Sequence, residues 1–150
     1  MLALFIVFNI ASSEFLSPSP ASNDQTQLSA LSNTTLTQAV GQNCGNTNIF
    51  HVYEVDVSPW PPGPGNAGTI TMNGKFLEGA YVQEMVLGIC YNSMIWNYYP
   101  EVVDKSWSAG EKATFEMAVV FPTKSGSYVN NFQLTAGDHI CCWQFAYNIT

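Results

Sequence analysis

Three features of the sequence predict an all-β protein built as an antiparallel β-sandwich. Apolar and polar residues alternate in several segments after Cys44, and this period of two is typical of strands that bury one face. Turn residues recur at the ends of these segments, as at residues 108–110 and 136–138, and no segment shows a convincing helical period. Six or seven short strands punctuated in this way favour two packed antiparallel sheets.

The predicted strands follow one another along the chain. The alternation is clearest at residues 114–117, where the apolar residues Phe115 and Met117 alternate with the polar residues Thr114 and Glu116. We predict strands at residues 49–57, 69–76, 79–91, 112–121, 128–135 and 139–149. The third of these carries apolar side chains on both parities, so its register stays open.

A proline-rich corner separates the first two predicted strands. Residues 58–65 read Ser-Pro-Trp-Pro-Pro-Gly-Pro-Gly. Proline cannot donate a ladder hydrogen bond and glycine permits positive φ, so this corner lies outside any sheet. We expect it to join two sheets.

Composition bounds the class of protein and of partner. The 150 residues suffice for one domain with a substantial core. Hydrophobic residues make up 47% of the chain and charged residues only 10%, which indicates that something apolar is enclosed. The net charge is −7, with four lysines and no arginine, and this argues against nucleic acid as a partner because phosphate binding needs clustered Lys and Arg.

The N-terminal third differs from the rest of the chain. Residues 1–13 combine a short apolar run with a small-residue end, which predicts a signal peptide and a secreted or endosomal/lysosomal location; a buried strand is the alternative. Residues 14–42 have the polar composition of a disordered linker, and residues 43–150 form the predicted domain. Sequons at Asn33 and Asn148 are candidate glycosylation sites.

Many of the side chains predicted to face inward are bulky. Two tightly packed sheets lie about 10 Å apart, and such side chains then fill a core. If the sheets splay, the same side chains line a pocket. The pattern alone leaves both arrangements open, although a filled core is the commoner one.

A series of motifs extends from about Cys44 to Ile149, at residues 55–65, 69–71, 78–82, 108–111, 121–122, 126–128 and 140–143. Their order and spacing resemble those of the ML (MD-2-related lipid-recognition) family. The chain is most similar to the phosphatidylglycerol/phosphatidylinositol transfer proteins of that family and also similar to the Niemann-Pick C2-like sterol carriers.

The resemblance implies an immunoglobulin-like sandwich with a hydrophobic cavity between its sheets. A phospholipid or sterol would be bound there and transferred between membranes or presented to a partner. Separately from the resemblance, we expect a monomer without a cofactor, and no metal site, because His51 and His139 stand alone and no Cys-x-x-Cys occurs. The expected lipid-binding residues are Val57, Ile70, Met72, Phe76, Val82, Val86, Trp96, Phe115, Met117, Val119, Phe121, Tyr128, Phe132, Leu134, Trp143 and Phe145.

The same resemblance implies a disulfide bond between an early cysteine and one on the last strand. Here these are Cys44 and Cys142, and a secretory route permits the bond. The family's usual cysteine pair of the central loop is missing, which leaves Cys90 and Cys141. They form a second bridge or remain free thiols.

Residues 91–100 occupy the place of the family's central loop and are unusually apolar. As a loop, this segment would contact membranes through Met94, Ile95, Trp96 and Tyr98. Alternatively, Met94, Trp96 and Tyr98 belong to another inward-facing strand.

Motifs for enzyme chemistry are lacking. Asp138 and His139 share a turn without a placed nucleophile, and the sequence contains neither Gly-x-Ser-x-Gly nor a phosphate-binding loop. We therefore expect a non-enzymatic carrier. The competing class is a secreted adhesion or recognition sandwich with a solid core that binds protein or glycan.

Overall fold

The computed structural model describes residues 38–150, and these form two antiparallel sheets. Their nine strands are β1 Gln38–Ala39, β2 Gln42–Asn43, β3 Phe50–Ser58, β4 Ala67–Phe76, β5 Ala80–Tyr91, β6 Ile95–Trp107, β7 Lys112–Val120, β8 Gly126–Ala136 and β9 Asp138–Ile149. None of the described residues lies in a helix long and apolar enough to cross a membrane.

The strand order defines an immunoglobulin-like sandwich. One sheet has the order β1-β3-β4-β7 and the other β2-β9-β8-β5-β6, so the predicted all-β class and two-sheet architecture are confirmed. The strands in the middle of each sheet bury alternate residues, as in β4, where Ile70 and Met72 are buried and Thr69 and Thr71 are only partly so. This alternation places one apolar face of each sheet against the other.

A cluster of aromatic side chains fills one end of the sandwich. The ring centroids of Phe50 and Phe76 are 4.7 Å apart, and the indole of Trp107 stacks on Phe76 at 5.1 Å. Phe115 lies edge-on to Phe50 at 5.6 Å. Since these four side chains come from both sheets, they hold the layers together and leave that end solid.

The proline-rich corner does not join the two sheets, contrary to the expectation from sequence. β3 and β4 are neighbours in one sheet, with Val57 opposite Ile70, so the corner is a long loop between paired strands. Its Trp60 does reach the other sheet, where the indole lies edge-on to Phe145 at 6.1 Å and to Tyr147 at 6.2 Å. The corner therefore covers the second end of the sandwich.

The ladders carry three register shifts, one of them between Leu134 and Thr135 in the pairing of β8 with β9, and the other two explain where the simple alternation fails in β3 and β5. The register shifts between Val52 and Glu54 in β3, so Tyr53 is turned out to solvent. A second shift lies between Val82 and Glu84 in β5, which is the strand whose register the pattern left open. A bulge adds one residue to one strand and reverses the parity of everything beyond it.

Two short strands before Cys44 take part in the sheets. Gln38–Ala39 pair with β3, and Gln42–Asn43 pair with β9, although residues 38–42 have the polar composition of the predicted linker. These short edge strands are held by backbone hydrogen bonds, which composition does not reveal. The predicted signal peptide, the rest of the linker and the sequon at Asn33 lie outside the described residues.

The cysteines form one disulfide bond, between Cys44 and Cys142, as the resemblance implied. Cys90 and Cys141 are buried free thiols, so the possible second bridge does not form. Cys141 faces inward, with its sulfur 3.8 Å from that of Met72. Cys90 lies on the outer face of β5, and β8 separates that strand from β9.

Candidate binding cavity

A cavity of about 540 Å³ lies between the two sheets at one side of the sandwich. Strand β6 forms the edge of one sheet there, and β7 forms the edge of the other. The walls come from β5 to β8 and the loop between the last two: Leu87, Ile89, Tyr91, Ile95, Asn97, Tyr99, Met117, Ala118, Val119, Val120, Pro122 and Tyr128.

The cavity exists because the two edges do not pair. Among residues 38–150, β6 hydrogen-bonds only to β5 and β7 only to β4, so no backbone ladder of the described chain closes this side. Ile95, Tyr99 and Val120 both line the cavity and are exposed to solvent. They therefore mark its mouth.

The wall is apolar with a few neutral polar groups. Its polar side chains are Asn97 and three tyrosines, and none of the lining residues in the described chain is charged. The ammonium group of Lys124 lies at the rim, 4.2 Å from the ring centroid of Tyr91. A charged group inside this wall would lose its hydration without a charge partner, so the interior suits a neutral ligand body.

Within residues 38–150, no group of three or more His, Cys, Asp or Glu side chains is placed to hold a metal ion.

The predicted lipid-binding residues divide into three groups. Met117, Val119 and Tyr128 line the cavity. A second group is buried in the core without lining it: Val57, Ile70, Met72, Phe76, Val82, Phe115, Phe121, Phe132, Leu134 and Phe145. The remaining three, Val86, Trp96 and Trp143, lie elsewhere.

Val86 and Trp96 lie on the outer face of the second sheet. Trp96 is opposite Cys90 in the ladder, and Val86 is opposite Gln133. Both therefore have the parity opposite to Leu87 and Ile89.

Trp143 is partly buried at the other side of the sandwich, where β1 and β2 form the edges. Its indole Nε1 donates a 2.7 Å hydrogen bond to the backbone carbonyl of Val40. Trp143 thus helps to close the side opposite the cavity.

The segment expected to be a loop or an inward strand is an edge strand with the other parity. Its inward residues are Ile95, Asn97 and Tyr99, whereas the rings of Trp96 and Tyr98 stack at 5.9 Å on the outer face. The inward placement of Trp96 and Tyr98 is therefore incorrect. Met94 lies in the preceding turn.

Sequence reasoning missed the cavity residues of β5 and β6. The hairpin that joins these strands turns at Asn92 and Ser93, which have φ of 47° and 58°. Asn is enriched at positions with such left-handed backbone angles, so the sequence could have predicted a turn at Asn92. Reading it would have paired Tyr91 with Ile95 and fixed the parity of β6.

A polar pair lies just behind the cavity wall. Asn130 is fully buried on the inner face of β8, and neither its Nδ2 nor its Oδ1 has a hydrogen-bond partner. The hydroxyl of Tyr147 is also buried without a partner. Burial raises the pKa of Tyr147 to about 12, and the neighbouring amide of Asn130 offsets part of that rise.

Comparison of the structure with known proteins identifies the fold. A Niemann-Pick type C2 protein from the Japanese carpenter ant is similar with a TM-score of 0.55 and 10% identity, over 74% of this chain and 99% of that one. The C-terminal domain of Wzt gives a TM-score of 0.54 and 13% identity, over 79% of each chain. At such identities the likeness shows a shared β-sandwich fold alone.

A third structure, chicken MD-1 complexed with lipid IVa, is similar at 14% identity over 77% of this chain and 99% of that one. Its TM-score of 0.42 does not establish a shared fold. No protein-family model and no curated protein sequence matches the chain.

Proposed function

We propose that this protein is a lipid carrier that holds one hydrocarbon body in the cavity between β6 and β7. The observation that carries the proposal is a cavity of about 540 Å³ with an apolar wall and a mouth at an unpaired sheet edge. Pockets that enclose small molecules in proteins occupy about 300–1,000 Å³. The proposal also draws on the sequence resemblance to the ML family and its phospholipid and sterol carriers.

The cavity volume limits the size of the cargo. A methylene group takes up about as much space as a water molecule, roughly 30 Å³. A cavity of 540 Å³ then holds on the order of eighteen such groups. This is one long acyl chain or the ring system of a sterol, whereas the side chain of a sterol or the second chain of a phospholipid would extend outside.

Burial of a hydrocarbon chain supplies the free energy for carriage. Each methylene removed from water contributes about 0.8 kcal/mol, so a sixteen-carbon chain is held by more than about 10 kcal/mol relative to water. The same free energy opposes the escape of a lipid from a membrane. A carrier with an apolar cavity lowers that barrier without any catalytic group.

Loading requires the mouth to meet a membrane, and the surface around it is suited to this. Met94 and Ile95 are 75% and 55% exposed, and Ile95 lines the mouth itself. Trp96 and Tyr98 expose aromatic rings on the adjoining outer face, and such rings favour the headgroup level of a bilayer. We propose these four residues as a transient membrane contact.

Two further points belong to the proposal. The disulfide bond between Cys44 and Cys142 supports a secreted or lumenal location, because such bonds persist in oxidising compartments. The competing function, an adhesion or recognition module, requires a solid core, and the cavity counts against it. The shared fold with the Wzt domain does not decide between the two, because one fold serves several functions.

The experiment fills the cavity and measures lipid uptake. Val119 lines the inner wall of β7, so Val119→Trp occupies space that the cargo needs. Excluding two methylenes costs about 1.6 kcal/mol, and we expect uptake from phosphatidylcholine vesicles to fall at least about tenfold. Thr114→Trp introduces the same side chain at an exposed position of the same strand and should leave uptake unchanged.

Native mass spectrometry gives the readout. A bound lipid mass on the wild-type protein and on Thr114→Trp, but not on Val119→Trp, is the expected result. A wild-type protein that carries no lipid and takes none from vesicles would refute the carrier function and leave the recognition module as the better interpretation.

A further inference from the structure

We infer that the cargo carries a neutral hydroxyl group at its buried end, and that Asn130 and Tyr147 bind this group at the back of the cavity. The inference rests on the proposed carrier function and adds an orientation to it. The lipid would lie with a polar group inward and its hydrocarbon toward the mouth.

The sheet register places Asn130 directly behind the cavity wall. Asn130 is opposite Ile89 in the ladder of β5 and β8 and two residues from Tyr128 on the same face. Ile89 and Tyr128 both line the cavity. The ring of Tyr147 stacks on that of Tyr128 at 5.5 Å, with an interplanar angle of 14°.

The surroundings of Asn130 make it an exception in this core. Its ladder neighbours on the two sides are Ile89 and Phe145, and along β8 the adjacent inward residues are Tyr128 and Phe132. Among the described residues, Asn130 is the one buried position with an amide or a charged side chain. A leucine or valine would fit the pattern of the strand better.

A buried amide without partners is unfavourable, so its presence calls for a ligand group. Native proteins pair the large majority of their buried side-chain polar atoms with protein or water. Both polar atoms of Asn130 and the hydroxyl of Tyr147 are buried without a hydrogen bond of good geometry, although the amide lies close enough to the phenol to lower its pKa. Neither residue lines the cavity itself, so a ligand group would have to pass between Ile89 and Tyr128 to reach them, and it could then bond to the amide of Asn130 and to the hydroxyl of Tyr147.

The chemistry of the pair selects a hydroxyl. The amide offers two donors and one acceptor, and the phenol offers one of each. A hydroxyl group both donates and accepts, so it can bond to both residues. No charged side chain lines the cavity within the described chain, so a carboxylate or an ammonium group would be buried without a counter-charge.

The test compares two probes that differ only in the hydroxyl group. Phosphatidylcholine vesicles containing a trace of 1-hexadecanol or of hexadecane are incubated with the protein, and the bound probe is counted after the vesicles are removed. Asn130→Leu keeps the side-chain size and removes the amide. Tyr147→Phe removes the hydroxyl alone. The control is Asn131→Leu, which makes the same Asn-to-Leu change on the outer face of β8.

We expect Asn130→Leu and Tyr147→Phe to lower hexadecanol uptake by about tenfold and to leave hexadecane uptake unchanged, because only the hydroxyl loses its partner. Asn131→Leu should take up both probes like the wild-type protein. Thermal unfolding of each variant verifies the fold, and Tyr147→Phe keeps the test valid if Asn130→Leu does not fold.

Other outcomes would overturn the inference in distinguishable ways. If Asn130→Leu and Tyr147→Phe both took up hexadecanol and hexadecane as well as the wild-type protein does, the pair would not contact the cargo, while the carrier function would stand. If the two variants lost hexadecanol uptake and hexadecane uptake equally, Asn130 and Tyr147 would maintain the shape of the cavity without binding a hydroxyl group. If the wild-type protein took up neither probe, the carrier function itself would fail.

Discussion

Two buried side chains couple the stability of this protein to alkaline pH. Burial raises the pKa of the Cys141 thiol from its ordinary 9.0 to about 12 and that of the Tyr147 phenol from 10.0 to about 12. In the unfolded chain both groups lose their protons at the lower values. The folded state therefore binds more protons above pH 9, and its stability falls as the pH rises.

We predict a steep loss of stability between pH 9 and pH 12. Each group contributes a slope of up to about 1.4 kcal/mol per pH unit while the pH lies between its two pKa values. Cys141→Ala should flatten the slope from pH 9 upward, whereas Tyr147→Phe should flatten it only from pH 10. Urea unfolding midpoints at pH 8, 9, 10 and 11 measure this. A Cys141→Ala variant with the wild-type slope would contradict it.

At the scale of elements, β6 combines an exposed apolar surface with features that discourage strand pairing. It is a 13-residue edge strand, and long apolar edges invite association with other chains. Pro100 lies in its middle and Asp104 has a φ of 47°. A proline and a distorted backbone interrupt the free row of donors, so the apolar residues are left for another kind of contact.

The membrane contact proposed for this edge predicts a position-specific effect. The double substitution Met94→Ser and Ile95→Ser removes two apolar side chains at the mouth, each worth about 1.5 to 3 kcal/mol on full burial. We expect binding to phosphatidylcholine vesicles, measured by co-flotation, to weaken at least about tenfold. Val102→Ser is the control, because Val102 is 77% exposed on the same strand but does not line the cavity.

Either of two results would count against that contact. The doubly substituted protein could bind vesicles like the wild type, or Val102→Ser could weaken binding to the same extent. The second result would indicate general stickiness of β6.

The elements also differ in how well the sequence predicts them. The sequence predicts the bounds of β7 almost to the residue. One face of this strand contacts solvent and the other contacts the core, so its apolar residues fall on alternate positions. β5 is covered on both faces: Leu87 faces the cavity, and the rings of Trp96 and Tyr98 lie over Gly88. A strand with two covered faces loses its alternation, and the bulge obscures it further.

For the whole molecule, the disulfide bond ties the N-terminal edge to the last strand. Cys44 and Cys142 are 98 residues apart in sequence, so the bond closes a loop that spans most of the described domain. A long closed loop restricts the unfolded chain strongly.

Removal of this bond should destabilise the whole sandwich. For the double variant Cys44→Ala and Cys142→Ala, we expect the free energy of unfolding to fall by about 2 to 5 kcal/mol. Urea denaturation measures the change. A reductant should lower the stability of the wild-type protein to that of the double variant and leave the variant itself unaffected; equal stability of the oxidised protein and the variant would disprove the effect.

The sequence by itself determined the fold class, most strands and the inward faces of β4, β7, β8 and β9, because a period of two follows from local backbone geometry. The tertiary structure decided where the sheets part. That depends on which strands form unpaired edges and on where bulges shift the parity, and both are set by partners distant in sequence. Hence the sequence could name Met117 and Tyr128 as candidate lipid-binding residues. Only the tertiary structure showed that Ile95 and Asn97 line the cavity and that the amide of Asn130 is buried without a hydrogen bond.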